Sequence, residues 1–179
     1  MVVVDRPCRT FKRAAVAGTA ITALTVMMSL AAARAAETGE VTKGQDIWAN
    51  KAGCPTCHGW AGTGAGGGFH SEGHAASLRN TKLTRDEIRT TIQCGRPGTP
   101  MPHFDRFAYT DKRCYGMTAE DLGNVAPTRA STTLQPYEVD ALADYVATKV
   151  KGAGPVTREQ CRDYFGANAG ASCDRYPER

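Results

Sequence analysis

The chain has 179 residues and a formal net charge of +4, from 22 Lys and Arg residues against 18 Asp and Glu residues. Five of those basic residues and one acidic residue fall within residues 1–35, so residues 36–179 carry 17 charges of each sign and are neutral. Neutral, dispersed charge gives no support to nucleic-acid binding, and a remainder of this length fits a single domain.

Residues 1–35 are predicted to be an export signal. Basic residues between Arg6 and Arg13 precede an uncharged stretch at 14–33, and small residues surround a plausible cleavage point at Ala33-Arg34-Ala35. This layout is typical of a secretory signal peptide. The absence of an Arg-Arg pair favours the general secretory route, which leads to the periplasm. A retained membrane anchor is the alternative, but the many Ala, Thr and Gly residues make this stretch only weakly hydrophobic.

A C-x-x-C-H motif, Cys54 to His58, follows a first predicted helix at about 42–53, which Gly53 would end. Two thiols at this spacing can bond covalently to the vinyl groups of a haem, and the adjacent histidine is placed to bind its iron. The glycine-rich stretch 59–68 would let the backbone come close to a flat macrocycle. We therefore interpret Cys54, Cys57 and His58 as the attachment site of one haem c.

Two other interpretations of the motif are a thiol–disulfide redox pair and half of a zinc site. A redox pair would need a βαβ context, and no β-branched strand pattern leads into Cys54. A zinc site would need a second pair of ligands, and His70, His74 and His103 do not pair with another cysteine couple. Both interpretations are less favoured than haem attachment.

Four further helices are predicted after the motif, at about 84–94, 117–122, 136–150 and 157–165. Capping-box spacings open the first, second and fourth, and a proline suits the first turn of the third. Positions 139, 142, 146 and 150 of the third helix are apolar, which indicates one buried stripe. No alternating apolar run is long enough to need a sheet. The fold is predicted to be all-α.

Four cysteines remain once Cys8 leaves with the signal and the motif is set aside, namely Cys94, Cys114, Cys161 and Cys173. An even number of cysteines in an oxidising compartment predicts disulfides. Three pairings are possible. Cys94–Cys114 and Cys161–Cys173 are favoured because each closes a short local loop, and free thiols are the alternative.

The chain resembles the class I c-type cytochromes over roughly residues 40–150. In that family a first helix with a Gly-x-x-x-aromatic step crosses a last helix with a Leu-x-x-aromatic step, and Gly44, Trp48, Leu142 and Tyr145 match those positions. The haem motif lies between them, followed by the Pro-Met-Pro element at 100–102. The resemblance implies a cytochrome c-like fold of three to five short helices around one covalently attached haem. The domain would span 36–151.

Met101 corresponds to the methionine that the family presents to the iron. A thioether is a soft, neutral ligand that favours reduced iron, and a proline on each side limits how the loop can move. Met101 as an ordinary core residue is the alternative interpretation. Met117 and then His103 are the next candidates for the ligand, and His70 and His74 follow them.

Two segments depart from the simplest family pattern: the long stretch 104–135 and the C-terminal extension 152–179, which contains two of the cysteines. Both are interpreted either as disulfide-braced decoration or as a docking surface for a partner protein. Trp60 and Arg96 are candidates to hydrogen-bond the haem propionates, with surface residues as the alternative interpretation.

A haem whose iron is bound by both His58 and Met101 has no open position, so the resemblance implies an electron carrier rather than an enzyme. Donors and acceptors that suit the family are a periplasmic dehydrogenase, such as a quinoprotein alcohol dehydrogenase, and a terminal oxidase of the respiratory chain. One alternative is a haem subunit of a dehydrogenase complex. Another is a haem enzyme, with peroxidase or small-ligand chemistry, if the sixth position is open.

Overall fold

The structure, a computed structural model, describes residues 40–64 and 75–178. Within these ranges the chain is helical and forms no strand, only isolated bridges between His103 and Arg129 and between Cys114 and Met117. The prediction of an all-α fold is confirmed. The predicted export signal, Cys8, His70 and His74 lie outside the described ranges. None of the helices in those ranges has the length and apolar character needed to span a membrane.

Six helices follow one another along the described chain. The first, α1, covers residues 40–46 and a π-helical turn, Ile47–Lys51. The others are α2 (Pro55–His58), α3 (Arg85–Cys94), α4 (Ala119–Leu122), α5 (Pro136–Tyr145) and α6 (Arg158–Phe165). A second π-helical turn, Val146–Val150, extends α5, and short 3-10 turns follow α4 and α6, at Gly123–Val125, Gly166–Asn168 and Gly170–Arg175.

Side chains cap the helices where the sequence predicts it. Thr84 accepts from the Glu87 backbone N–H while the Glu87 carboxylate accepts from the Thr84 N–H, and the same reciprocal pattern opens α4 and α6. A further box, Gln135 with Glu138, opens α5. Its sequence signal is weak, because glutamine is not among the favoured N-cap residues.

The main core forms where α1 crosses α5. A Cβ atom added to Gly44 would lie 2.1 Å from the Ala141 carbonyl oxygen and 2.6 Å from the Tyr145 Cβ, so only glycine permits this approach. The rings of Trp48 and Tyr145 meet at the crossing with centroids 6.0 Å apart, and Trp48 and Leu142 are each 1% exposed. The predicted crossing of the first and last helices of the cytochrome-like region is confirmed.

Helix α3 packs on the other side of α5 and completes this core with Ile88 and Ile92. Arg85 Nε donates to Asp144 Oδ1 at 2.8 Å, and Arg89 Nε donates to Asp140 Oδ1 at 2.8 Å. These partly exposed ion pairs fix the relative position of the two helices more than they stabilise the fold.

The long stretch 104–135 folds against the end of α3 around the predicted Cys94–Cys114 disulfide, which is present. Both cysteines are buried together with Ala108 and Tyr109 in a small second core. The Tyr109 hydroxyl donates to the Cys94 carbonyl oxygen at 2.7 Å. The stretch 104–135 is therefore a packed part of the fold, joined by the disulfide to the helix that leads into the Met101 loop.

The C-terminal extension closes on the predicted Cys161–Cys173 disulfide, which is also present. Its buried cluster packs against Trp60, just after the C-x-x-C-H motif. The Trp60 ring lies 5.3 Å from that of Tyr164 and 5.8 Å from that of Tyr176. The extension is thus attached to the body of the protein through an aromatic cluster and is not a free appendage.

We expect Trp60→Ala to detach this extension. Loss of the partly buried indole should lower the free energy of unfolding by ~2–3 kcal/mol, somewhat below the value for a fully buried tryptophan. Denaturant unfolding and limited proteolysis of residues 153–178 would measure both effects. Trp60→Phe, which keeps a ring in the cluster, is the control. Equal protease resistance in Trp60→Ala and the parent would contradict the prediction.

Candidate functional site

One helical turn brings the three motif side chains together. Cys54 is the N-cap of α2, Pro55 occupies its first turn, and the His58 backbone N–H donates to the Cys54 carbonyl oxygen at 2.9 Å. The fixed φ of proline suits that position. Gly59, at φ 72°, then turns the chain out of the helix. The motif is therefore a short rigid platform.

The two motif cysteines are free thiols, whereas the other four described cysteines are bonded to one another. Cys54 packs against the main core, and Cys57 is exposed. Burial raises the pKa of the Cys54 thiol to about 12, with a smaller contribution from Cys57. A thiol with a raised pKa is protonated near neutral pH and is a poor nucleophile for disulfide exchange.

His58 is held by one ring nitrogen. Its Nδ1 is 3.0 Å from the Ala76 carbonyl oxygen, and its ring lies 6.2 Å from that of Trp48. Burial lowers the pKa of His58, and the hydrogen bond to Ala76 only partly opposes this, so the neutral imidazole is favoured. Nε2 has no hydrogen-bond partner among the described residues. A neutral ring anchored through Nδ1 is the usual state of a metal-ligating histidine.

Met101 sits in a tight loop after α3. The Arg96 backbone N–H donates to the Met101 carbonyl oxygen at 3.2 Å, and the Gly98 N–H donates to Val125 at 2.8 Å. Gly95 comes so close to this loop that an added Cβ would lie 2.7 Å from the Met101 carbonyl oxygen. The half-buried Met101 side chain packs against the same main core as Cys54. Backbone contacts on both sides thus restrain the loop.

The alternative ligand candidates have different surroundings. His103 is 7% exposed, its Nδ1 lies 2.8 Å from the Asp105 carbonyl oxygen, and its ring packs edge-on against Tyr109. This is the environment of a structural histidine. Met117 is half-buried and lines an open cleft of about 670 Å³ together with the predicted propionate donor Arg96.

The two predicted propionate donors, Trp60 and Arg96, differ in their hydrogen bonding. The Trp60 indole N–H donates to the Tyr176 hydroxyl at 3.4 Å, so its donor is already used within the aromatic cluster. The Arg96 guanidinium is exposed and has no polar partner within the described ranges. Both propionate contacts stay predictions. Arg96 still has donors to offer a propionate, whereas the Trp60 N–H is already bonded to Tyr176.

A covalently held haem needs two unbonded thiols one turn apart, and Cys54 and Cys57 provide them. Its iron would take a neutral imidazole and a soft second donor. His58 lies beside Trp48 of the main core, and Met101 packs against the same core. The chain's own residues therefore fit the group. Within residues 40–64 and 75–178, no three acidic, histidine or cysteine side chains converge.

Residues 39–119 match the family model described as cytochrome C oxidase, cbb3-type, subunit III. This part of the chain is a c-type cytochrome domain. The match includes the C-x-x-C-H motif, α3 and the Met101 loop, and it ends within α4. A c-type cytochrome domain binds haem c covalently and generally serves in electron transfer between redox proteins. Comparisons with curated proteins and with solved structures give no match.

Sequence reasoning missed two contributors to the site of this cytochrome domain. The Ala76 carbonyl anchors His58, and Arg79, three residues later, is buried with 8% exposure. A backbone acceptor has no sequence signature. Arg79 stands in a segment with neither helical nor strand periodicity, so no pattern marks it as buried.

Proposed function

We propose that this protein is a periplasmic carrier of single electrons, with haem c attached through Cys54 and Cys57 and the iron bound by His58 and Met101. The observation that best supports this is the setting of His58. It lies on one helical turn with two free thiols, is anchored through Nδ1 to Ala76 and has no partner at Nε2 among the residues that the structure describes.

The chemistry follows from the ligands that the chain offers. When bound, haem c supplies an iron that gains or loses one electron. Hydrogen bonding of Nδ1 to a carbonyl makes the His58 ring a stronger donor through Nε2, while the Met101 thioether favours the reduced state and raises the potential. If His58 and Met101 both held the iron, no position on the metal would remain for a substrate.

We propose that residues 1–35 are a cleaved signal, residues 36–151 are the cytochrome domain and residues 152–179 are an extension. The partners we propose are a periplasmic dehydrogenase, such as a quinoprotein alcohol dehydrogenase, and a terminal oxidase. Redox encounters of this kind use small interfaces that form and dissociate quickly.

A second candidate is a haem subunit held permanently in a larger redox complex. The matched family is named for a subunit of an oxidase. In addition, Phe107, Tyr115 and Val125, each about 43–44% exposed, all belong to the long stretch 104–135. Aromatic side chains are enriched at protein–protein contacts. Co-purification of a tagged chain with a stoichiometric partner would favour the subunit over the diffusing carrier.

Absorption spectra of the protein matured in a periplasm test the proposal, taken in both redox states with and without carbon monoxide. A reduced c-type spectrum, the weak far-red band of thioether-ligated ferric haem and no response to carbon monoxide are expected. Prompt carbon monoxide binding without the far-red band would instead indicate an open iron and a haem enzyme. A colourless protein would refute haem attachment.

A further inference from the structure

Arg79 is a buried cation whose partners are all neutral oxygens. Its Nε–H donates to the Gly154 carbonyl at 2.6 Å and its Nη1 to the Ala61 carbonyl at 3.1 Å. Its Nη2 donates to the carbonyls of Ala153 and Pro155 at 3.0 and 3.1 Å and to the Gln160 side-chain oxygen at 3.1 Å. No carboxylate pairs with it in the described part of the chain. A guanidinium stays charged when buried, so these acceptors must all be held in place.

The acceptors come from two parts of the chain that lie far apart in the sequence. Ala61 belongs to the turn that follows the C-x-x-C-H motif, whereas residues 153–155 and Gln160 belong to the extension. The main chain reinforces the junction, because the Gly152 N–H donates to the Arg79 carbonyl at 2.9 Å. Arg79 is therefore the point at which the extension, the turn after the motif and segment 75–79 are joined.

Segment 75–79 also carries the oxygen that holds His58. The Leu78 N–H donates to the Gly62 carbonyl at 2.9 Å, and the Gly64 N–H donates to the His58 carbonyl at 2.9 Å. A Cβ added to Gly64 would lie 2.4 Å from the Ala75 carbonyl oxygen, which shows how closely the two segments pack. A shift of segment 75–79 would therefore move the Ala76 carbonyl relative to His58 Nδ1.

We propose that Arg79 is a positioning residue that couples the C-terminal extension to the axial histidine by holding the Ala76 carbonyl against His58 Nδ1. This inference rests on the proposed role of His58 as an iron ligand. The extension then sets the donor strength of His58 and through it the reduction potential. A weaker Nδ1–H···O=C bond makes the ring a poorer donor and so raises the potential.

The test uses the full holoprotein with Arg79→Lys, which keeps the charge but loses the planar fork that reaches several carbonyls. We expect a higher reduction potential and exchange of the His58 Nδ1 proton on the order of tenfold faster in the ferrous protein, as loss of one net hydrogen bond implies. Arg89→Lys is the matched control. It weakens the contact of α3 with α5 at Asp140 but touches neither segment 75–79 nor the extension.

Gln160→Ala is the milder second variant, and it tests the inference if Arg79→Lys does not fold and take up haem. It removes one acceptor of the guanidinium from the extension, and it should change both readouts in the same direction. The inference is overturned if Arg79→Lys loses thermal stability, as Arg89→Lys does, but keeps the reduction potential and proton-exchange rate of the parent. Arg79 would then be merely structural. The same outcome in Gln160→Ala decides the question if Arg79→Lys does not mature. A parent with histidine but no methionine ligation would overturn the proposed function alone, whereas a parent whose iron is not bound by His58 would overturn the proposed function and this inference together.

Discussion

We expect Met101→Ala to open the iron to exogenous ligands and to lower its reduction potential. The variant removes the only methionine that lies in the restrained loop after α3, where Arg96 and Gly98 fix the backbone by hydrogen bonds. The potential should fall by a sizeable part of the ~0.8 V that axial ligation spans, because loss of the thioether removes its preference for reduced iron. Redox titration and carbon monoxide binding to the ferrous protein measure the two effects.

Met117→Ala is the control for this experiment. Met117 is the other methionine within the described residues, and it lines the open cleft beside Arg96 rather than packing on the main core. The control should keep the parent potential and stay inert to carbon monoxide. If Met101→Ala keeps its native spectrum and Met117→Ala loses it, the assignment of the second ligand belongs to Met117.

Gly44→Ala should be strongly destabilising. Its methyl group would overlap the Ala141 carbonyl oxygen and the Tyr145 Cβ at the crossing of α1 and α5. Overpacking of this kind typically costs 1–3 kcal/mol, and an overlap with backbone that cannot rotate away places the expected loss at ~3 kcal/mol or more. Denaturant unfolding of the holoprotein measures the loss.

Gly166→Ala is the matched change for Gly44→Ala. It adds the same methyl where nothing lies within 4 Å, so only its positive φ of 52° is strained, at about 1–2 kcal/mol. The control shows what one added methyl costs where the backbone is strained but nothing is overlapped. A loss in Gly44→Ala no larger than that in Gly166→Ala would contradict the expected cost of the overlap at the crossing.

The sequence predicts the features of this protein that depend on the spacing of side chains along a helix or a short loop. Helical spacing identifies the buried stripe of α5, which is a consequence of 3.6-residue periodicity. The family resemblance, not periodicity, identifies Gly44 as the residue at the crossing. Short loops identify the disulfides at Cys94 and Cys161, because nearby cysteines meet most easily. The C-x-x-C-H motif can be recognised without knowledge of the fold, because its three side chains lie within one helical turn.

Contacts that involve the main chain could not be predicted in this way. The Ala76 carbonyl holds His58 and the carbonyls of 153–155 surround Arg79, and every residue type offers the same oxygen. Trp60 illustrates the related problem of a side chain with two possible partners. Its indole suits a propionate or the Tyr176 hydroxyl, and the choice depends on where the extension folds. The ligand role of Met101 remains a prediction from the loop and the family resemblance.

The two disulfides have a consequence for the order in which the chain matures. Cys94 joins Cys114 and Cys161 joins Cys173, with separations of 20 and 12 residues, so neither covalent ring encloses the thiols at 54 and 57. Oxidation of these four cysteines can therefore close both rings without trapping the haem-bearing segment. The ring that would compete with attachment is the small one between Cys54 and Cys57 themselves. Cofactor loading and oxidative folding can thus proceed in either order, provided that this one pair is kept reduced.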